Sequence, residues 1–362
     1  MKSPVLAFAL PVGNEARWSD LLAVLVATDP VPFAETLGLR HDPAALAVHR
    51  EVALDTENRP DMLLTADEDR VAVIEVKVLA GLGSGQLARY EAAEPGADVY
   101  ALLYPGRLVI DIAGARPWRG LTWESVLTAY ASSGHPWVAG TARAWLGHLG
   151  AALPEVGPDT VWNDLRLGED FVIALRARMS WLFGQLQSSG VPCELVSSTA
   201  GQGVGWIVRL RAATPAAGYA IMVEVEEYLS VRDYPKYFTS EGLKPRGPTA
   251  KVCLYQEGIT TSAGFDWDHL LRLWPAMEQA RSDWVSNAAQ PKAAHDREGH
   301  ARLIAAGAPP FLGIGFGEAQ AKSDGFCMFG ARVQFPASVS LAELSTEVTR
   351  LSELTLVLAR IN

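Results

Sequence analysis

Arg59-Pro60-Asp61-Met62-Leu63-Leu64-Thr65-Ala66-Asp67-Glu68-Asp69-Arg70-Val71-Ala72-Val73-Ile74-Glu75-Val76-Lys77 decides the fold. Two apolar runs, Asp61 to Thr65 and Val71 to Val78, flank the turn Ala66-Asp67-Glu68-Asp69-Arg70 and predict two strands. The second run is apolar almost throughout, as expected of a strand buried on both faces. Side chains at i and i+2 share a strand face, so Glu75 and Lys77 point together. With Asp61 opening the neighbouring strand, two carboxylates and an ammonium gather at one end of the hairpin. Two hard oxygens, water and a backbone carbonyl suit Mg²⁺, which keeps several waters and binds through few carboxylates plus phosphate. Such an ion polarises a scissile phosphate and activates a water, while Lys77 orients or helps deprotonate that water, or stabilises the developing charge. The expected chemistry is phosphodiester hydrolysis, with Asp61 and Glu75 as metal ligands and Lys77 as the catalytic lysine. The plainer alternative is a turn at Pro60-Asp61 and a Glu75/Lys77 ion pair at a sheet edge. That alternative poorly explains charge at the end of so apolar a strand.

Working outward, Asn14 to Thr28 predicts a helix. Asn14 is its cap, and Trp18, Leu21, Leu22, Leu25 and Val26 recur at helical spacing. Pro30 and Pro32 end it. Ala47 to Leu54 alternates like a strand. Downstream of Lys77, Gly81, Gly83 and Gly85 form a loop, and Gln86 to Ala93 a short helix. Val99 to Tyr104 and Leu108 to Ile112 are strands separated by Pro105-Gly106. Thr122 to Ala131 is a Thr-capped helix with Trp123 facing inward. The order describes an α/β unit with a mixed central sheet flanked by helices.

These residues resemble the PD-(D/E)xK nuclease superfamily over roughly residues 10–130. Pro60-Asp61 matches its first motif and Glu75-Val76-Lys77 its second. Gln86-Leu87-Ala88-Arg89-Tyr90 is similar to the Gln-apolar-x-x-Tyr helix of the RecB-like branch. The resemblance implies a restriction-endonuclease-like fold and a Mg²⁺ cofactor, with Mn²⁺ as a substitute. It implies catalytic roles for Asp61, Glu75 and Lys77. Gln86 and Tyr90, which share a helical face, would help hold the substrate and the catalytic residues. It also implies an acidic residue on the first helix. Glu15 is the best match, ahead of Glu35 and Glu51.

The domain expectation is a nuclease-like domain over 1–150 and a second α+β domain over 151–362. At 362 residues the chain exceeds what one core usually supports, and Pro154, Gly157 and Pro158 mark the boundary. In the second half, helices are expected at Leu165 to Gln187, Trp267 to Ala288 and Leu341 to Ala359. Strands are expected near Cys193–Ser197, Gly205–Leu210, Tyr219–Val225, Val252–Gln256 and Cys327–Val333, with a polar loop at Gln290 to Gly299. Glu224-Val225-Glu226-Glu227 faintly echoes the first strand motif but has no Lys at the matching place and no preceding Pro-Asp. The role assigned to 151–362 is substrate choice, dimerisation or contact with a partner protein.

Composition bounds the partners. Apolar residues make up 49% and charged residues 20%, which is a globular balance. The net charge is −10 and both halves are acidic, so nucleic acid cannot be held by bulk charge. A local basic groove is expected at Lys236, Lys244, Arg246 and Lys251, interleaved with Tyr234, Tyr237 and Phe238. No window is apolar enough for a membrane span, and Met1 to Val12 reads as a soluble, cytoplasmic start. Cys193, Cys253 and Cys327 have no metal spacing and read as buried free thiols. Gly313-Ile314-Gly315-Phe316-Gly317 is not a P-loop and reads as a strand. His41, His49, His295 and His300 read as solvated surface or loop histidines. The functional expectation is a divalent-metal nuclease acting on DNA, in restriction, repair or defence, with RNA as a weaker choice. The competing class is a nuclease-like domain that binds or assembles without turnover.

Overall fold

The structure is a computed structural model. It describes residues 14–79, 81–82, 85–110, 112, 117–163, 165, 171–198, 204–229, 238–239, 242–243, 247–259, 262–285, 297–313 and 325–361. The chain divides into two compact units, Met1–Glu155 and Val156–Asn362.

Unit 1 holds helices α1 (Glu15–Thr28), α2 (Val31–Leu37), α3 (Gln86–Ala93), α4 (Trp123–Ala131) and α5 (Pro136–Ala152). Its strands are β1 (Leu46–Arg50), β2 (Met62–Ala66), β3 (Asp69–Val76), β4 (Val99–Tyr104) and β5 (Arg119–Thr122). They form one mixed sheet in the order β1-β2-β3-β4-β5. β1, β2 and β3 are antiparallel, whereas β4 runs parallel to both β3 and β5. The β2–β3 connection turns on Asp67 and Glu68, both at positive φ (49° and 77°), as a two-residue primed turn requires.

β3 is a central strand, and everything from Val71 to Val76 is buried, because helices cover both faces. One face packs Leu63, Val73, Tyr100 and Leu102 against Leu87 and Tyr90 of α3 and against Trp118. Burying each such side chain contributes roughly 1.5–3 kcal/mol. A second cluster joins Trp18 of α1, Trp123 of α4 and Trp145 of α5, with ring centroids 4.9–5.4 Å apart.

Several expected elements differ. The first strand stops at Arg50, because Glu51 turns left-handed at φ 50°. Leu108–Ile110 is not a strand; Leu108 and Ile110 are buried as irregular chain, and the last strand of the sheet is Arg119–Thr122 instead. Pro30 and Pro32 end α1 but also open α2, since the first turn of a helix has no use for the N–H that proline lacks. α5 was not anticipated, and it runs into the expected boundary segment.

Unit 2 holds α6 (Phe171–Ser188), α7 (Trp267–Ala280), α8 (Arg297–Ala305) and α9 (Leu341–Leu358). Its strands β6 (Glu194–Ser198), β7 (Val204–Ala213), β8 (Tyr219–Leu229), β11 (Thr249–Glu257) and β12 (Phe326–Gln334) form an antiparallel sheet ordered β12-β11-β8-β7-β6. A two-stranded hairpin, β9 (Phe238–Thr239) and β10 (Gly242–Leu243), lies between β8 and β11 in sequence. α6 packs on β7, and α9 packs on β8 and α6. α7 ends at Ala280, short of the expected Ala288, and Trp284 folds back to donate its indole N–H to Met277 O at 2.8 Å. The end of the expected polar loop, from Arg297, is helical. Gly313 has φ 74°, and a Cβ there would lie 2.7 Å from the Trp267 ring, so a close approach selects this glycine. Residues 314–317 lie outside the described set. Among the described residues no helix is long and apolar enough to cross a membrane.

Candidate active site

The β2–β3 register pairs Met62 with Ile74. One step further places Asp61 opposite Glu75, and directly opposed residues of an antiparallel pair share a face. Alternation then puts Asp61, Leu63, Val73, Glu75 and Lys77 on the face covered by α3. α3 starts at Gln86 after Gly85, a left-handed N-cap at φ 62°, and presents Gln86 and Tyr90 one turn apart. Asp61, Glu75, Lys77, Gln86 and Tyr90 thereby meet at the end of β3.

Their bonds are specific. Glu75 Oε1 accepts from Lys77 Nζ at 2.5 Å and from Gln86 Nε2 at 2.7 Å. Gln86 Nε2 also donates to Tyr90 OH at 3.0 Å, and Tyr90 OH donates to Arg59 O at 3.1 Å. Asp61 Oδ2 accepts from Val76 N at 2.8 Å. Glu15, the first residue of α1, accepts through Oε1 from Val78 N at 2.6 Å and Leu79 N at 3.0 Å, and its Oε2 lies 3.8 Å from Lys77 Nζ. Behind the site, Trp123 donates its indole N–H to Lys77 O at 3.0 Å.

Burial sets the electrostatics. Glu75 is 2% exposed and Lys77 8%. Desolvation, reinforced by the Asp61 charge, pushes Glu75 up to about 7, against the opposing pull of Lys77 and Gln86. Asp61 is also raised, first by burial and then by Glu15, while the Val76 amide, Lys77 and Arg50 hold it down. Burial pulls Lys77 down, but Glu75, Glu15 and Asp61 together outweigh it, so its pKa lies above the ordinary lysine value. Lys77 is therefore an ammonium at neutral pH.

Glu75 Oε2 is buried and makes no hydrogen bond among the described residues. A buried carboxylate oxygen left unpaired is costly, roughly 1–3 kcal/mol or more for a charged group. Among the described residues no three His, Cys, Asp or Glu side chains converge closely enough to hold a metal by themselves. Two neighbouring carboxylates could serve an ion that takes few protein ligands and completes its shell with water, as Mg²⁺ does. Asp61 and Glu75 are the residues that would hold it.

Other sequence candidates fall elsewhere. Glu35 sits in α2 and makes no bond to this cluster, and Glu51 pairs with Arg50. His41 bonds Asp98 at 2.7 Å, and His49 bonds Thr65 Oγ1 at 3.0 Å. His300 is buried, not solvated, and contacts Pro310 O at 3.1 Å. His295, Tyr234, Lys236, Tyr237, Lys244 and Arg246 lie outside the described residues. Lys251 does not belong to a surface groove. It is 7% exposed and pairs with Glu226 at 2.7 Å and Glu224 at 3.8 Å. The lysine missing from the β8 echo thus comes from the neighbouring strand, because β11 places Lys251 opposite Glu224. Cys253 and Cys327 are buried free thiols, and Cys193 is half-buried, its Sγ 3.9 Å from Phe183 O. Arg50 and Trp123, which touch the site through backbone carbonyls, carry no motif signal.

No protein-family model, no curated protein and no solved structure matches this chain.

Proposed function

We propose that unit 1 is a Mg²⁺-dependent nuclease domain of restriction-endonuclease-like architecture that hydrolyses phosphodiester bonds, with DNA as the substrate. The observation that carries this reading is the buried, unpartnered Oε2 of Glu75 beside Asp61 and the Lys77 ammonium. The mixed sheet, with its antiparallel hairpin followed by a parallel β3–β4 pair, supports it.

When bound, the ion would supply Lewis-acid polarisation of the phosphate and activation of the attacking water. Asp61 and Glu75 would orient it from one face of the hairpin. Gln86 fixes the Glu75 carboxylate by bonding one oxygen, so Oε2 is the atom that would hold the ion. The Lys77 pKa favours a charged, donating side chain, so it would orient the water and stabilise negative charge developing on phosphate instead of serving as a base. Glu15 bonds the backbone where β3 exits and adds negative charge near Lys77, which keeps that lysine protonated.

A second reading is a domain that binds or assembles without turnover. It is favoured by the direct Lys77–Glu75 pair, which occupies both groups with each other. Incubation of the full chain with linear, circular and single-stranded DNA in Mg²⁺, Mn²⁺ or chelator decides between them. Metal-dependent cleavage that Asp61→Ala and Lys77→Ala abolish supports the nuclease, and equal behaviour of all three proteins sinks it. Unit 2 would serve substrate choice, dimerisation or contact with a partner protein.

A further inference from the structure

We infer that Arg50 is a positioning residue for this site, tying the start of α1, which carries Glu15, to the backbone of Asp61. The catalytic consequence rests on the nuclease reading; the structural tie does not.

Arg50 is the last residue of β1, the edge strand beside β2, and its side chain is 18% exposed. Its Nε donates to Asp61 O at 3.1 Å and its Nη1 to Ala16 O, also at 3.1 Å. The same Nη1 pairs with Asp20 of α1, and Nη2 bonds Glu51 Oε1 at 3.1 Å. One planar guanidinium thus bridges two chain segments that each deliver an acid to the site. The second device is local. Glu51 adopts φ 50°, a region that few residues other than glycine visit, and in that conformation its N–H donates to Asp61 O at 3.2 Å. Two donors from adjacent residues therefore converge on the carbonyl of Asp61. Held so, the Asp61 carboxylate reaches Val76 N, and Glu15 reaches Val78 N and Leu79 N. A lysine at 50 would keep the charge but lack the fork that spans both carbonyls.

Two measurements on wild type, Arg50→Ala and Arg50→Lys test this. The first is amide exchange in the metal-free full chain at Val76, Val78 and Leu79, whose N–H groups bond Asp61 and Glu15. Arg50→Ala should lower their protection about tenfold or more and leave core amides of β4 such as Leu102 unchanged, with Arg50→Lys intermediate. The second is steady-state cleavage with Mn²⁺, where kcat should fall about tenfold or more while KM for DNA stays within about twofold. Unchanged exchange at the three amides overturns the inference whether or not the protein cuts DNA. A rise in KM with kcat intact overturns it too, since that marks a substrate contact. If Arg50→Ala loses protection everywhere, Arg50→Lys decides: loss confined to the three amides supports the tie, and uniform loss in both variants refutes it. Should the wild type cut nothing, the nuclease reading fails and the exchange data still judge Arg50.

Discussion

Gln86 donates its side-chain amide to Glu75 Oε1 at 2.7 Å, and the Lys77 ammonium donates to the same oxygen. A neutral donor and a charged one thus hold one oxygen of a buried carboxylate while its other oxygen, Oε2, makes no hydrogen bond among the described residues. This asymmetry fixes how the acid can be used: the occupied oxygen sets the side chain's orientation, and on the proposed reading the other oxygen would hold the ion.

Metal affinity should depend on pH. Glu75, pushed up to about 7, must lose its proton to bind a cation. Mn²⁺ affinity measured by calorimetry should rise up to about tenfold per pH unit from pH 5.5 to 7 and flatten above it, as one released proton requires. A flat profile across that range would show that Glu75 is not a ligand.

Stability should show the same linkage with the opposite sign. The folded pKa of Glu75 lies above its unfolded value of 4.5, so the protonated acid stabilises the metal-free fold below pH 4.5. That contribution is lost as pH rises through about 7, and Asp61, also raised, acts in the same direction. The Tm gained on adding Mg²⁺ should therefore grow between pH 5 and pH 8. A gain that shrinks over this interval contradicts the assignment.

Lys77→Met keeps much of the side chain's volume and removes its charge. Cleavage should fall roughly 10²–10⁴-fold, as for loss of a group acting on transition-state charge or proton transfer. Mn²⁺ should still bind above pH 8, but less well at pH 7, since Lys77 opposes the rise of Glu75. Retained turnover would remove Lys77 from the mechanism.

Gln86→Leu and Tyr90→Phe break the chain from Glu75 through Tyr90 OH to Arg59 O. Each should cost about 1 kcal/mol of unit 1 stability, a typical net value for one hydrogen bond. Because the two share a bond, the double variant should cost less than the sum by about 0.5 kcal/mol or more. Strict additivity in denaturant titrations would show that the link carries no energy.

In unit 2, Lys251→Met removes the ammonium that pairs with buried Glu226 at 2.7 Å, while Glu224 keeps its bond from Arg209 Nε at 2.8 Å. Removing one partner of a buried ion pair typically costs about 3–5 kcal/mol. Limited proteolysis should then cut within 156–362 at lower temperature than in the wild type. If Lys251 lay in a solvated groove, as its neighbours in sequence suggest, the variant would melt normally.

The legible part of the site is local. Asp61, Glu75, Lys77, Gln86 and Tyr90 stand at spacings that a strand, a turn and one helical turn convert directly into shared faces. The helix from Glu15 was legible too, because Asn14 caps it and its Nδ2-bearing side chain accepts from Arg17 N through the amide oxygen at 3.4 Å. Arg50 was not, since its partners are the backbone carbonyls of Ala16 and Asp61, and a carbonyl has no sequence identity. Trp123 reaches Lys77 O for the same reason unseen. Leu108–Ile110 misled because buried irregular chain and a short strand carry the same apolar pattern.

By itself the sequence determined which side chains share a face, because strand and helix periods are properties of the backbone alone. Tertiary structure decided which charges are desolvated, and that is what separates Lys77 and Lys251 from surface lysines. Desolvation depends on what packs around a group: α3 covers Glu75 in one unit, and β8 sets its glutamates against Lys251 in the other. Only the folded chain brings those neighbours together, so the shared faces were written in the residues, whereas the electrostatics of the candidate site came from packing.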